Sequence, residues 1–240
     1  MSTRLDNQVS AAGVAPEFLV PPEVLDAISP SGDRGGLLLG SGLKGEPLTI
    51  SVLRNAPTRI VMVGGLYLAR QLALRAMASG ATVIVSTGRP QAWEVLRRAA
   101  GQGPDGRPVP AVQIRRLIPT ELDRATEDNP VLIMHDGGAV PQELFPPRSP
   151  WQTTLYVLPY LHPHASVTAN GADLILLQRL PIGQAHLAGR IWRLAPQMAQ
   201  QLTTLKDDGV IALGPNLWRP LRLVTTPKEQ QILGPVRRGD

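Results

Sequence analysis

No cysteine occurs in the 240 residues. That excludes a disulfide framework and any metal site built on thiolates, and it suits a cytoplasmic chain. Aromatic residues are scarce, with four Trp, three Tyr and two Phe. The core must therefore come from Leu, Val, Ile and Ala. Only Lys44, Lys206 and Lys228 are lysines among the 24 basic residues. None follows a glycine, which excludes the lysine-bearing phosphate-loop pattern. Basic residues never run longer than two, as at Arg97-Arg98, so no nucleic-acid footprint is evident. No window approaches 18 continuous apolar residues, and Met1 to Ser10 is polar. Neither a spanning helix nor a targeting segment is expected.

The formal net charge is +5, and the surplus sits in the first half. Residues 1–120 hold 13 basic and 8 acidic side chains, against 11 and 11 in 121–240. A weakly basic face toward an anionic membrane or an acidic partner stays open.

The organising stretch is RIVMVGGLYLARQLALRAMASGATVIVST, from Arg59 to Thr87. Ile60 to Val63 is a short β-branched run, as a buried parallel strand should be. Gly64 and Gly65 make a turn, and Leu66 to Ser79 is rich in helix formers. Gly80 fits the residue past a helix end, and Ala81 to Val85 is a second strand. The two strands are expected to be adjacent or one strand apart. The dinucleotide fingerprint needs three glycines and a later acidic residue. Here Leu66 and Leu68 follow the glycine pair, and no carboxylate closes the second strand. Gly64, Gly65 and Arg89 form a weak alternative cofactor site. Plain turn chemistry is the preferred reading of the glycine pair, and a helix start at Arg89-Pro90 is as ordinary as a phosphate contact.

Around this unit, Gly35 to Gly40 and Leu48 to Leu53 suggest a hairpin. Pro90 opens a helix whose apolar face is Ala92, Val95, Leu96 and Ala99, with an expected Glu94–Arg98 pair. Strands are expected at 112–117, 131–134, 153–158, 174–177 and 210–213, and helices at 182–194 and 196–206. Ala165 to Thr168 reads as extended. Pro220 makes Leu217 to Val224 an edge strand, or delays its pairing to Leu221. Residues 1–30, broken by prolines, read as a mobile arm. Residues 31–145 read as a first α/β half and 146–240 as a second, in the same sheet or a small subdomain. The fold class is α/β, with a largely parallel sheet and helices on both faces, Rossmann-like but lacking a nucleotide fingerprint.

The order of LLLG, GEPLTISVLR, RIVMVGGLYLARQLALRAMASGATVIV and GRPQAWEVLRRAAG resembles the cytosolic region of EccE, a component of actinobacterial type VII (ESX) secretion systems. The match is best over residues 36–117 and looser over 171–224. EccE proteins carry two transmembrane helices ahead of that region, and this sequence shows none. The resemblance implies a non-catalytic scaffold of a secretion apparatus and not an enzyme. It also implies other complex subunits as partners and a cytoplasmic location, with peripheral contact to the inner face of the membrane open. The competing expectation is a nucleotide- or nucleotide-sugar-binding α/β protein, with transferase chemistry open.

Few side chains invite chemistry. His135-Asp136-Gly137-Gly138 follows a strand, as a base, a metal ligand or a polar turn capping the sheet. His162 and His164 have metal-ligand spacing, but Pro163 separates them and no third ligand is near. Arg97, Arg98, Trp218 and Arg219 are the interface candidates, with Arg70, Arg75, Arg115 and Arg116 completing a basic face. No catalytic residue, metal or cofactor is assigned.

Overall fold

Ile60, Val61, Met62 and Val63 are all fully buried, because strand β3 (Thr58–Val63) runs through the interior of a ten-stranded sheet. The computed structural model describes residues 36–102, 109–116, 125–141 and 148–236. Before β3 come β1 (Leu37–Gly42) and β2 (Pro47–Ile50), an antiparallel hairpin. After it come helix α1 (Leu66–Ala78) and β4 (Thr82–Thr87). A 3-10 turn (Pro90–Trp93), α2 (Glu94–Ala100), β5 (Val112–Arg115) and β6 (Val131–Asp136) follow. Then come β7 (Gln152–Leu158), a second 3-10 turn (Pro163–Ala165), α3 (Ser166–Asn170) and β8 (Leu174–Leu177). Helices α4 (Ile182–Trp192) and α5 (Pro196–Thr203) lead to β9 (Gly209–Gly214), β10 (Leu217–Leu223) and α6 (Pro227–Leu233).

The strand order is β2-β1-β10-β9-β8-β3-β7-β6-β4-β5. From β8 to β5 every pairing is parallel, and the four strands on the other flank pair antiparallel. Residues buried on both faces give apolar runs without alternation, which is why β3, β4 and β6 stand out in the sequence. β3 and β4 are not adjacent or one strand apart, however, because β7 and β6 lie between them. α1 therefore crosses further than its length suggests.

Successive side chains of β3 point to opposite faces. Ile60 and Met62 pack with Leu68 and Leu72 of α1 and with Trp93 and Leu96. Val61 and Val63 pack with Ala185 and Ala188 of α4 and with Leu202 of α5. Helices thus cover both faces. α1 ends through Gly80, whose φ of 84° suits glycine and whose N–H donates to the Met77 carbonyl at 3.0 Å. A buried latch ties α1 to α6. Arg75 donates to Glu229, to the Val224 carbonyl and to the Leu38 carbonyl. Gln71 reaches Glu229 at 3.3 Å. Thr226 and Glu229 close a capping box at the start of α6.

Three local expectations change. Glu94 pairs with Arg97, one turn away at i+3, and not with Arg98. Residues 163–170 are a 3-10 turn and a short helix instead of extended chain. Pro163 presets φ at the first helical position, and the His162 imidazole accepts from the His164 N–H at 3.2 Å. β10 is an interior strand, yet Leu217 to Pro220 pair only with β9, and β1 joins only from Leu221. Pro220, having no N–H, thus sits where no ladder bond to β1 is required. The arm at 1–30 and the junction at 145/146 lie outside the described residues. Strands from both sides of that junction join one sheet.

Candidate functional site

In open α/β sheets ligands bind beyond the carboxyl ends of strands where successive connections leave to opposite faces. β3 meets this condition on both sides. Its helix α1 packs on one face, whereas the segments after β7 and β8 pack on the other. Gly64 and Gly65 lie at this end. The Gly64 N–H donates to the Leu158 carbonyl at 3.0 Å, bridging β3 to β7. The Gly65 N–H donates to Gln178 Oε1 at 2.8 Å, bridging β3 to β8.

Gln178 directly follows β8, held by its own N–H to the Val63 carbonyl at 3.1 Å. It is only 1% exposed. Its Oε1 serves Gly65, while its Nε2 is buried and finds no hydrogen-bond partner among the described residues. Gly64 is glycine because of this neighbour. A Cβ there would overlap Gln178 Oε1 and stand 2.8 Å from Cδ. Its φ of 158° is one that L side chains rarely adopt, so backbone conformation and close approach both call for glycine. Gly65 is the N-cap of the thirteen-residue α1, which has neither a side-chain cap nor an acidic residue in its first turn. Its first amides therefore carry the positive end of the helix dipole without an anionic partner.

A second cluster lies at the ends of β4 and β6, where Thr87 and Asp136 pair in register. Asp136 accepts from Thr87 Oγ1 at 2.8 Å, Trp93 Nε1 at 2.7 Å, Arg89 Nε at 3.0 Å and Arg89 Nη2 at 2.9 Å. Its side chain is 2% exposed, and that of Arg89 41%. Of the three roles open for Asp136, this is the polar cap. Trp93 carries an essential bond of the cluster. The sequence offered no sign of it, because Trp93 lies off the apolar stripe of Ala92, Val95, Leu96 and Ala99 and its partner Asp136 is 43 residues away.

On the opposite face of β6, His135 stacks on Tyr156, with ring centroids 5.1 Å apart and planes 18° apart. Burial, helped by the charge of Arg59, lowers its pKa to about 4. The imidazole is neutral at pH 7, and its Nε2 has no hydrogen-bond partner among the described residues.

The candidates do not converge. Arg89 is separated from the glycine pair by β7 and β6, about 14 Å at ~4.8 Å per strand. Arg97 and Arg98 are exposed on α2, with Arg97 held by Glu94. Trp218 is half-buried against the α4–α5 face, its indole N–H donating to Gln201 Oε1 at 3.2 Å. Arg219 is exposed, 3.7 Å from Glu46. Arg75, assigned to the basic face, is committed to the α6 latch instead. The His162 and His164 rings meet edge to face at 4.9 Å. Among the described residues no cluster of three His, Asp or Glu could hold a metal ion. The residue that completes the glycine turn, Gln178, was not singled out. The only local signal was a polar residue directly after the apolar run ADLILL.

No protein-family model and no curated protein matches the sequence. Solved structures do. VirB4 of Thermoanaerobacter pseudethanolicus superposes with a TM-score of 0.55 at 8% identity, covering 83% of this chain and 99% of that one. The genome packaging NTPase B204 from Sulfolobus turreted icosahedral virus 2, in complex with AMPPCP, gives 0.46 at 10% identity, over 70% and 98% of the two chains. The cytoplasmic domain of the Thermomonospora curvata type VII secretion ATPase EccC gives 0.45 at 10% identity, over 92% and 34%. Below 0.5, the last two add nothing to the fold assignment. The VirB4 likeness shows the fold, and it overturns the EccE resemblance. The segments that carried that resemblance are packing patterns common to any strand–helix–strand crossover. With it go the non-catalytic scaffold reading and the expectation that the chain is not an enzyme. The nucleotide-binding alternative is the better supported of the two. Among the described residues no helix is long and apolar enough to cross a membrane.

Proposed function

We propose that this chain binds a nucleoside phosphate at the turn between β3 and α1. The observation that carries this reading is a strand–Gly64-Gly65–helix turn at the switch point of the sheet, in a fold shared with VirB4. Phosphate oxygens suit such a place, because the amides of the first helical turn point at them and the dipole favours their charge. No lysine follows the glycines, so backbone amides are the donors. The reaction class supported by the fold is hydrolysis of a nucleoside triphosphate. Its partners would be other subunits of an export or packaging assembly, on the cytoplasmic side where nucleotides are available. Arg97, Arg98, Trp218 and Arg219 remain the surface residues offered to them.

Thermal denaturation of the full chain with ATP, ADP and GTP, beside a phosphate-release assay, tests the proposal. A nucleotide at about 100 times its Kd raises stability by ~2.7 kcal/mol, or roughly 5–10 °C at this size. A melting temperature unmoved by all three nucleotides at millimolar concentration overturns it.

A further inference from the structure

Gly65 has its N–H already bonded, at 2.8 Å, to a side chain that lies 113 residues further along the chain. That side chain, Gln178, is buried to 99% yet leaves one of its two polar atoms unsatisfied. A buried donor without a partner is uncommon and calls for an explanation. The carboxamide is neutral, and its oxygen occupies the place at the head of α1 that a phosphate oxygen would take. Gly64 keeps its Cα bare against the same group. The position thus holds a plug: an acceptor on the helix amide, a glycine shaped to admit it and an orphan donor beside it.

The structure assigns Gln178 as the residue that gates the phosphate turn, an inference that rests on the nucleotide-binding reading. With Gln178 seated, the Gly65 amide is closed to ligand. When an anion arrives, the carboxamide swings off Gly65 and the phosphate oxygen takes over its hydrogen bond. The Nε2 then gains the acceptor it lacks. Affinity is reduced by the fraction of molecules in which the plug is seated. Because Gln178 begins the segment between β8 and α4, its departure also reports occupancy of the turn to α4. Gln178 is a positioning residue, since it acts by holding the amide closed.

The test is ATP binding to the full chain by calorimetry, for the wild type, Gln178→Ala and Gln178→Glu. Gln178→Ala should tighten binding by about 2- to 10-fold, the worth of one neutral hydrogen bond, even as it lowers the melting temperature. A merely structural role would also lower the melting temperature but would leave ATP binding unchanged or weaker. Gln178→Glu sets a fixed anion on the helix amide and should weaken ATP binding at least about 10-fold. If ATP binds the wild type and Gln178→Ala binds it no tighter, the gate is overturned while the nucleotide reading stands. If ATP, ADP and GTP bind neither protein, the nucleotide reading falls and the gate with it. Hydrogen exchange on the wild type keeps the test independent of whether the variants fold. ATP should change protection at 64–68 and at 176–180 together. A response at 64–68 alone overturns the gate.

Discussion

The ends of β4 and β6 and the ends of β3 and β8 are built from opposite materials. At β4/β6 the carboxylate of Asp136 takes bonds from a hydroxyl, an indole and both reachable nitrogens of an arginine. Charge is met by charge, and nothing is left over for a ligand. At β3/β8 a single neutral bond joins Gln178 to Gly65, and one amide donor has no partner. A saturated ionic cluster holds two strand ends rigidly, since removing any member strands the others. A neutral plug with an unspent donor can be exchanged for a ligand at modest cost. Of these two places, the charged one is therefore structural, and the uncharged one is where a ligand is proposed to bind.

Removing a member of the rigid cluster should have the largest effect. Asp136→Ala leaves the buried Trp93 N–H and Thr87 hydroxyl without an acceptor and Arg89 without its counter-ion. Arg89 is partly exposed, so solvent recovers some of the loss. About 3 kcal/mol is expected, read as a lower midpoint in urea. A midpoint within error of the parent breaks the contrast.

On the other side, Gly64→Val pushes a branched side chain into the Gln178 carboxamide. A loss of about 1–3 kcal/mol follows from overpacking. Combining it with Gln178→Ala should restore part of that loss, because the two residues touch. Strict additivity in the double mutant would show that the clash lies elsewhere.

The two faces of β6 make the comparison within one strand. Asp136 is locked, whereas His135 is held neutral by burial. A histidine whose folded pKa is below its unfolded value adds stability at pH above about 6.5 and loses it as pH falls toward about 4. Between pH 7 and 5 this amounts to ~2 kcal/mol. His135→Phe should flatten that slope in melting curves. Glu229 acts in a lower window. Burial raises its pKa, but hydrogen bonds from Arg75 and the Thr226 amide, with the charge of Arg75, outweigh this and hold it below the usual range. Its contribution is lost only as pH falls below the unfolded value of about 4.3. An unaltered slope between pH 7 and 5 in His135→Phe would show that His135 does not carry it, since Glu229 titrates below that window.

The smallest effect is expected on the surface. Arg97 and Arg98 are exposed on α2, and reversing both to Glu should leave the melting temperature within roughly 2 °C. A larger fall would make them part of the cluster that begins at Trp93.

Much of the architecture was legible. β8 lies at Leu174–Leu177, as its apolar run suggested, and the β3–α1–β4 unit follows from burial on both faces and from Gly80. The order of strands was not legible, because periodicity reports which residues are buried and not which strand they bury against. Ala165 to Thr168 misled for a local reason. Its short β-friendly run is overruled by Pro163 and the His162 cap. The glycine turn was found by its residue types. Gln178 was not, since a lone glutamine after LILL carries no pattern of its own. Its meaning lies in an amide 113 residues earlier. Asp136 was found, but its role depended on Trp93 and Arg89, which only the fold brings to it.

The pairing of β1 with β10, Gly40 against Leu223, also sets a timetable. A ribosome makes the β1–β2 hairpin early, yet its neighbour in the sheet arrives almost last. Until residues 221–223 emerge, Gly40 to Gly42 lack their partner strand. The same applies to Arg75, whose partner Glu229 comes later still. Such long-range closures slow folding, and an unpaired strand edge invites pairing with another chain. The nascent protein should thus be most vulnerable to aggregation, and most in need of a chaperone, during the translation of its second half.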